Sequence, residues 1–251
     1  MMNDVAEPAN LSAPPSRVRR PALFLDLDGV LAPIAPRPEA VAPVASRTSL
    51  LMDLVARLDG RVAVVSGRSL TDVDRILEGA VPNVSGIHGL ERRRSGGEVD
   101  RAPPGPGVAK AARRMAEFAR DRSGLLVENK GLAVGLHYRL APDQEAAVVE
   151  LGERLAREHD LTIQPGDRIV ELKTPGSDKG KALAAFMAEA PFEGAIPIML
   201  GDDLTDEFGF AAAKSLGGFG VLVGPPRTTA ADYRLDGPEA VAAWLQTLEA
   251  E

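Results

Sequence analysis

Ala22 to Leu27 is a short apolar run that leads into acidic residues and Gly29, the pattern of a buried strand delivering a loop to one edge of a sheet. Leu50, Leu51, Leu54, Val55 and Leu58 then recur at helical spacing within Arg47 to Leu58. Arg61 to Val65 is a second strand, stopping at Ser66-Gly67-Arg68, and Ser69 to Leu77 reads as the next helix. Strand–helix–strand–helix order predicts parallel strands joined by helical crossovers. Val84 to His88 reads as a third strand, and Glu91 to Arg101 as a hairpin tipped by Ser95-Gly96-Gly97.

The rhythm changes after Pro103-Pro104-Gly105-Pro106-Gly107. Val108 to Arg122 reads as a helix, followed by strands over Leu125 to Glu128 and Leu132 to Arg139. Pro142 to His159 is a further helix, and Leu161 to Gln164 pairs with Arg168 to Lys173 around Pro165-Gly166-Asp167. This helix–hairpin–helix–hairpin segment predicts a small antiparallel sheet backed by two helices. After Thr174-Pro175-Gly176-Ser177 the first rhythm returns: helix Lys179 to Ala190, strand Ile196 to Leu200, helix Leu204 to Ala213, strand Gly220 to Val223 and helix Pro238 to Leu248. The fold expected is α/β, a Rossmann-like parallel-sheet core (21–101 and 176–251) with an inserted α/β cap (102–175), after a disordered leader (1–20).

Composition narrows the function. With 251 residues, 45% of them hydrophobic, the chain has enough apolar material for a sizeable core. Its 29 Lys plus Arg against 36 Asp plus Glu give a net charge of -7, which argues against a nucleic-acid backbone as the main partner. The absence of Cys excludes disulfides, thiolate nucleophiles and Cys-ligated zinc or iron–sulfur. The 3 His are widely spaced, which disfavours an imidazole-built zinc site. Asp4, Glu7 and the prolines of the first twenty residues do not read as an export signal, and no run approaches the ~20 apolar residues of a membrane span. A cytoplasmic monomer acting on a small molecule, without nucleic-acid or membrane partners, is expected.

The most informative stretch is Leu23-Phe24-Leu25-Asp26-Leu27-Asp28-Gly29-Val30. Strand periodicity puts Asp26 and Asp28 on one side, where they repel unless a cation or a shared proton compensates. Mg²⁺ suits such a site, because it takes carboxylates, carbonyls and waters. A second acidic cluster, Gly201-Asp202-Asp203-Leu204-Thr205-Asp206-Glu207, follows the strand Ile196 to Leu200 and can converge on the same sheet edge. Asp203, Thr205 or Asp206 could instead cap the helix that starts there, an even choice for Asp203 and Thr205. Ser66, with Gly67 behind it, can offer a hydroxyl and nearby amides to phosphate oxygens, and Lys179 can neutralise phosphate and carboxylates. Together these groups suit phosphoryl transfer through an Asp nucleophile. Asp26 attacks, Asp28 serves as acid and then base, and Mg²⁺ with Lys179 stabilises the equatorial charge.

Asp26-x-Asp28-Gly29, Ser66, Lys179 and Gly201-Asp202-Asp203 resemble, in that order, the signatures of the haloacid dehalogenase superfamily of phosphatases. The resemblance implies Asp26 as nucleophile, Asp28 as acid/base and Mg²⁺ held at Asp26, Asp28 and Asp202. It further implies a phosphate grip from Ser66, Gly67 and Lys179, with Asp203 and Asp206 supporting the metal.

The segment 102–175 reads as the specificity element. Glu128-Asn129-Lys130, with His137 and Arg139 at alternate positions, offers polar groups on one face, and Glu171 offers an acceptor. A polyol needs many such groups, whereas an apolar leaving group would want an aromatic wall, and aromatics are only 4% of the chain. Blander readings stand beside these: Lys130 as a turn residue, His137 as strand surface, Arg139 and Glu171 as a cross-strand ion pair. Ser66-Gly67-Arg68, Gly86-Ile87-His88-Gly89-Leu90-Glu91, Glu128-Asn129-Lys130-Gly131, Gly135-Leu136-His137-Tyr138-Arg139 and Glu171-Leu172-Lys173 resemble the trehalose-6-phosphate phosphatase family. That resemblance implies a cap closing over the sugar phosphate. It makes Arg68, His88, Glu91, Asn129, Lys130, His137, Arg139 and Glu171 candidates for binding it. The alternatives are a phosphatase of another sugar phosphate, of the sucrose or glucosylglycerol type, and a non-catalytic sugar-phosphate-binding regulator.

Overall fold

The computed structural model describes residues 11–166 and 168–251. Chain order begins β1 (Arg17–Val18), β2 (Pro21–Leu25), α1 (Ala45–Arg57), β3 (Val62–Val65), α2 (Leu70–Leu77) and β4 (Asn83–Gly86). The hairpin strands β5 (Glu91–Arg93) and β6 (Val99–Arg101) follow, then α3 (Pro106–Ala119), β7 (Leu126–Asn129) and β8 (Ala133–His137). Next come α4 (Glu145–His159), β9 (Thr162–Gly166), β10 (Ile169–Lys173), α5 (Lys179–Met187) and β11 (Ile196–Gly201). The last elements are α6 (Glu207–Ser215), β12 (Phe219–Val223), β13 (Tyr233–Leu235), α7 (Pro238–Thr247) and β14 (Glu249–Ala250).

The 8-stranded sheet has the order β13-β12-β11-β2-β3-β4-β5-β6, parallel from β13 to β4, with β5 and β6 antiparallel. Its central strands bury both faces, which is why they read as continuous apolar runs. Successive side chains go to opposite layers. Leu23, Leu25, Val62, Val64, Ile198, Leu200, Val221 and Val223 join the core that includes Leu51 and Leu54 of α1 and Trp244 of α7. Phe24, Ala63, Val65, Met199 and Leu222 join Leu183 and Phe186 of α5 and Phe210 of α6. From β2 the chain steps to β3 and β4 on one side, and after the insert it enters β11 and steps outward on the other. The carboxyl end of β2 is therefore a topological switch point, where such sheets bind ligands.

The second sheet, order β7-β8-β10-β9, is antiparallel throughout. Val134, Leu136, Val170 and Leu172 bury one face against Val108, Ala111 and Met115 of α3 and Val148, Leu151 and Leu155 of α4. Alternation sends Glu128, Gly135, His137, Gln164 and Glu171 to the opposite face.

Several expectations change. Of the leader expected over 1–20, residues 1–10 lie outside the described residues, as does Asp167 of the expected hairpin turn. Residues 11–20 are not a loose leader: β1 pairs in parallel with β14, and Trp244 Nε1 donates to the Pro15 carbonyl at 3.2 Å. The strand expected over Val84 to His88 ends at Gly86, and Ile87–Gly89 forms a tight 3-10 turn. The helix expected from Leu204 begins as a 3-10 turn over Leu204–Asp206 and becomes α-helical at Glu207. No helix among the described residues is long and apolar enough to cross a membrane.

Candidate active site

β2 delivers Asp26 to the switch point. Its backbone N–H still bonds Leu200 O of β11 at 3.1 Å, while its Oδ1 accepts from the next amide, Leu27 N, at 2.7 Å. The chain then turns at Gly29, which sits at φ 76°, a conformation that costs an L residue roughly 1–2 kcal/mol. Space matters as much as conformation. A Cβ on Gly29 would lie 2.1 Å from Asp202 Oδ2, so only glycine lets the loop after β11 close on the loop after β2.

Lys179 opens α5 and is buried at 2% exposure. Its Nζ donates to Asp26 Oδ2 at 2.6 Å and to Asp206 Oδ1 at 2.8 Å. Oxygens of Asp26, Asp202 and Asp206 lie within 4.8 Å of one another. Asp206 is already engaged: besides Lys179, its Oδ2 accepts from the amides of Asp202 at 3.0 Å and Asp203 at 3.2 Å. Asp203 caps, its Oδ1 accepting from Thr205 N at 2.8 Å and Thr205 Oγ1 at 2.6 Å. The even choice for Asp203 thus has its capping half realised, in a capping box with Asp206.

One lysine does not balance this acidity. Burial, with Asp26 and Asp203 nearby, pushes Asp202 up to about 8. Burial raises Asp26 as well, with Asp203 and Asp28 adding to it against the pull of Lys179. A compact surplus of carboxylate oxygen with raised proton affinity fits a hard divalent cation, which takes oxygen ligands and restores the charged forms. Asp26 and Asp202 are the residues that could hold one, with Asp206 fixing the loop behind them.

Asp28 is not among the converging carboxylates. Arg68, leaving β3, takes both its oxygens, Nε to Oδ2 at 2.6 Å and Nη2 to Oδ1 at 2.8 Å, and anchors its third nitrogen on Pro38 O at 2.9 Å. The Asp28 side chain expected at the metal therefore stands with a guanidinium instead. Ser66 is buried, and its Oγ accepts from Arg68 N at 3.3 Å.

The polar face of the second sheet covers this centre. Glu171 is 3% exposed; its Oε2 accepts from Lys130 Nζ at 2.6 Å, and Lys130 also donates to Gly67 O at 3.0 Å, bridging the two sheets' segments. Burial works against the Lys130 charge, but Glu171 and Glu128 outweigh it and hold the ammonium above its ordinary value. Burial likewise opposes the Glu171 charge, yet Lys130 and His88 bring its carboxyl well below the usual range. His88 Nε2 stands 3.5 Å from Glu171 Oε1, and His137 Nε2 lies 3.0 Å from Glu128 Oε2.

One cavity is lined by Asp26, Asp28, Ser66, Gly67, Arg68, His88, Lys130, His137, Arg139, Glu171, Lys179, Asp202 and Asp203. Two expected sugar ligands do not reach it. Glu91 is buried behind the site, accepting from Leu70 N at 2.6 Å and from Arg101 Nε at 3.0 Å. Asn129 is exposed and turns inward on its own loop, its Oδ1 accepting from Gly131 N at 3.0 Å. Strand parity explains it, because Glu128 faces the cavity and its neighbour must face away. Glu128 and Gln164 line the cavity although neither was singled out as a ligand. The register signals both: Gln164 stands opposite Glu171, and Glu128 opposite Gly135.

A family model described as trehalose-phosphatase matches residues 24–239. The trehalose-6-phosphate phosphatase of Escherichia coli (strain K12) is 38% identical over 240 residues, covering 95% of this chain and 90% of that protein. The crystal structure of a trehalose-6-phosphate phosphatase related protein superposes with a TM-score of 0.75 at 30% identity, over 90% of this chain and 95% of that one. A phosphatase of the haloalkanoate enzyme superfamily from Bacteroides thetaiotaomicron, 22% identical, shares the fold with a TM-score of 0.56 over 89% of this chain and 92% of that one.

Proposed function

The chain belongs to the trehalose-phosphatase family, and from that premise we propose that it hydrolyses trehalose 6-phosphate to trehalose and phosphate through an aspartyl-phosphate on Asp26. The observation that carries the mechanism is the meeting of Asp26, Asp202 and Lys179 beneath the polar face of the second sheet.

Asp26 attacks phosphorus and the sugar oxygen departs on the far side. Asp28 protonates that oxygen and afterwards removes a proton from the water that releases phosphate. Arg68 bonds both Asp28 oxygens and so orients the carboxyl, leaving a second lone pair on each for the proton. Lys179 keeps Asp26 oriented and, with Ser66, faces the phosphate oxygens. Mg²⁺, held by Asp26 and Asp202, would supply charge stabilisation for the transferring group. Lys130, His137, Arg139 and Glu171 engage the sugar hydroxyls, and because Lys130 bonds Gly67 O they do so when the cap is closed.

The metal assignment is tested by removal and replacement. EDTA is expected to abolish phosphate release and Mg²⁺ to restore it. Ca²⁺ is expected to restore it poorly, because its longer bonds and higher coordination number misplace Asp26. Full activity after verified metal removal contradicts the assignment.

The cap assignment is tested on two substrates. A buried hydroxyl that loses a charged partner costs about 1.5–3 kcal/mol, so Glu171→Ala is expected to lower kcat/KM for trehalose 6-phosphate by roughly 10- to 150-fold. p-Nitrophenyl phosphate, which has no sugar hydroxyls, is expected to react at nearly the original rate. A parallel loss on both would place Glu171 in structural support, and no loss on either would remove it from the site.

A further inference from the structure

Lys173, the last residue of β10, is 2% exposed, and none of the chemistry above uses it. Its ammonium has no carboxylate within ion-pair distance among the described residues. It donates instead to a main-chain carbonyl, Ser177 O, at 2.5 Å. Burial lowers its proton affinity, with Asp178 and Glu171 offsetting part of the effect. A buried ammonium without a counter-ion is costly to keep, and an apolar residue of similar volume is often neutral or stabilising in its place. Fold stability therefore does not account for it, and its surroundings do.

Ser177 belongs to the segment by which the chain returns from β10 to α5. On the cap side, Thr174 ties that segment down: its N and Oγ1 both donate to Leu132 O, at 3.0 and 3.2 Å. On the core side, Asp178 caps α5, its Oδ1 accepting from Lys181 N at 2.8 Å, and the next residue is Lys179. Ser177 also presses on the turn that aims His88: a Cβ on Gly89 would lie 2.3 Å from Ser177 Oγ. That turn is strained, with Ile87 at φ 48° and His88 at φ 52°, and a β-branched residue there needs its surroundings to hold it. Lys173 spans the return segment between these two anchorages, on the same strand face as Glu171 two residues before it.

We propose that Lys173 is a positioning residue: by bracing Ser177 it sets how the cap sheet meets the core, and thereby where Glu171 and Lys130 stand over the reaction centre. The inference rests on the proposed sugar-phosphate reading of the cavity. Its effect falls on substrates that use the cap and spares those that use the core alone.

The test is Lys173→Met, which keeps the length and removes the donor. kcat/KM for trehalose 6-phosphate is expected to fall about 10-fold or more, the scale on which misplacing binding groups slows a reaction, while p-nitrophenyl phosphate hydrolysis stays within about twofold. Tm is expected to be no lower than that of the original protein, since a buried charge has been replaced by an apolar chain. Unchanged kcat/KM on trehalose 6-phosphate overturns the proposal, and so does an equal loss on both substrates with a lowered Tm. If Lys173→Met shows no cooperative melt, Lys173→Gln, too short to reach Ser177 O, is judged by the same outcomes. The unsubstituted protein separates the two readings. No preference there for trehalose 6-phosphate over p-nitrophenyl phosphate refutes the sugar-phosphate reading. A clear preference that survives Lys173→Met refutes the role of Lys173 alone.

Discussion

Asp26→Asn is expected to lose at least about 10⁴-fold in kcat, the scale seen when an enzyme's nucleophile is removed. The amide has nearly the shape of the carboxylate but cannot attack phosphorus, and it brings no negative charge to a cation. Stability should move the other way or not at all. Asp26 is buried among Asp28, Asp202 and Asp203, and its proton affinity is raised by that burial and crowding. Lys179 keeps Asp206 as a partner after the substitution, so no buried ammonium is stranded. A variant that melts like the original and does not turn over separates chemistry from folding. Ordinary steady-state turnover by purified Asp26→Asn removes Asp26 from the role of nucleophile.

Asp28→Asn is expected to lose about 10²- to 10⁴-fold on trehalose 6-phosphate, the usual contribution of a positioned proton donor. The effect depends on the leaving group. A sugar alkoxide needs its proton as it departs, whereas p-nitrophenolate leaves without one. The first half-reaction with p-nitrophenyl phosphate should therefore survive, and the second should stall for want of a base to activate water. The expected record is a burst of p-nitrophenol near one equivalent per enzyme followed by a slow steady state, with the phosphoryl group retained on Asp26. Asparagine also replaces one half of the Arg68 fork, so Arg68 keeps a single acceptor there besides Pro38 O. A uniform loss on both substrates with no burst would make Asp28 a partner for Arg68 rather than a proton carrier.

What the sequence made legible was what local pattern controls. Residues of β2, β3, β11 and β12 are buried on both faces, so each stands out as an apolar run, and those of β2, β3 and β11 end in residues that form the site. The insert was legible from its change of rhythm and two short hairpins. β13 and the β1–β14 pair were not, because they are only two or three residues long and just Val18 and Leu235 among them are buried, too few to make a periodic signal. Glu128 and Asn129 show the limit of motif reading: both lie in one polar stretch, and only the register against β8 decides which of them faces the cavity. The Arg68–Asp28 fork joins residues 40 positions apart and is set by the packing of β2 beside β3, which no local window contains. Glu91 lies in a polar stretch like a ligand, yet its carboxylate serves the first turn of α2 and Arg101.

The central claim is that this site hydrolyses trehalose 6-phosphate. The most direct measurement is phosphate release by the purified protein with Mg²⁺ from trehalose 6-phosphate, sucrose 6-phosphate, glucosylglycerol phosphate and glucose 6-phosphate at matched concentrations. If the cap groups recognise the disaccharide as described, kcat/KM for trehalose 6-phosphate exceeds that of each other substrate by about 10-fold or more, equivalent to at least one charged hydrogen bond. Equal rates across the four, or no phosphate released from trehalose 6-phosphate, would contradict it.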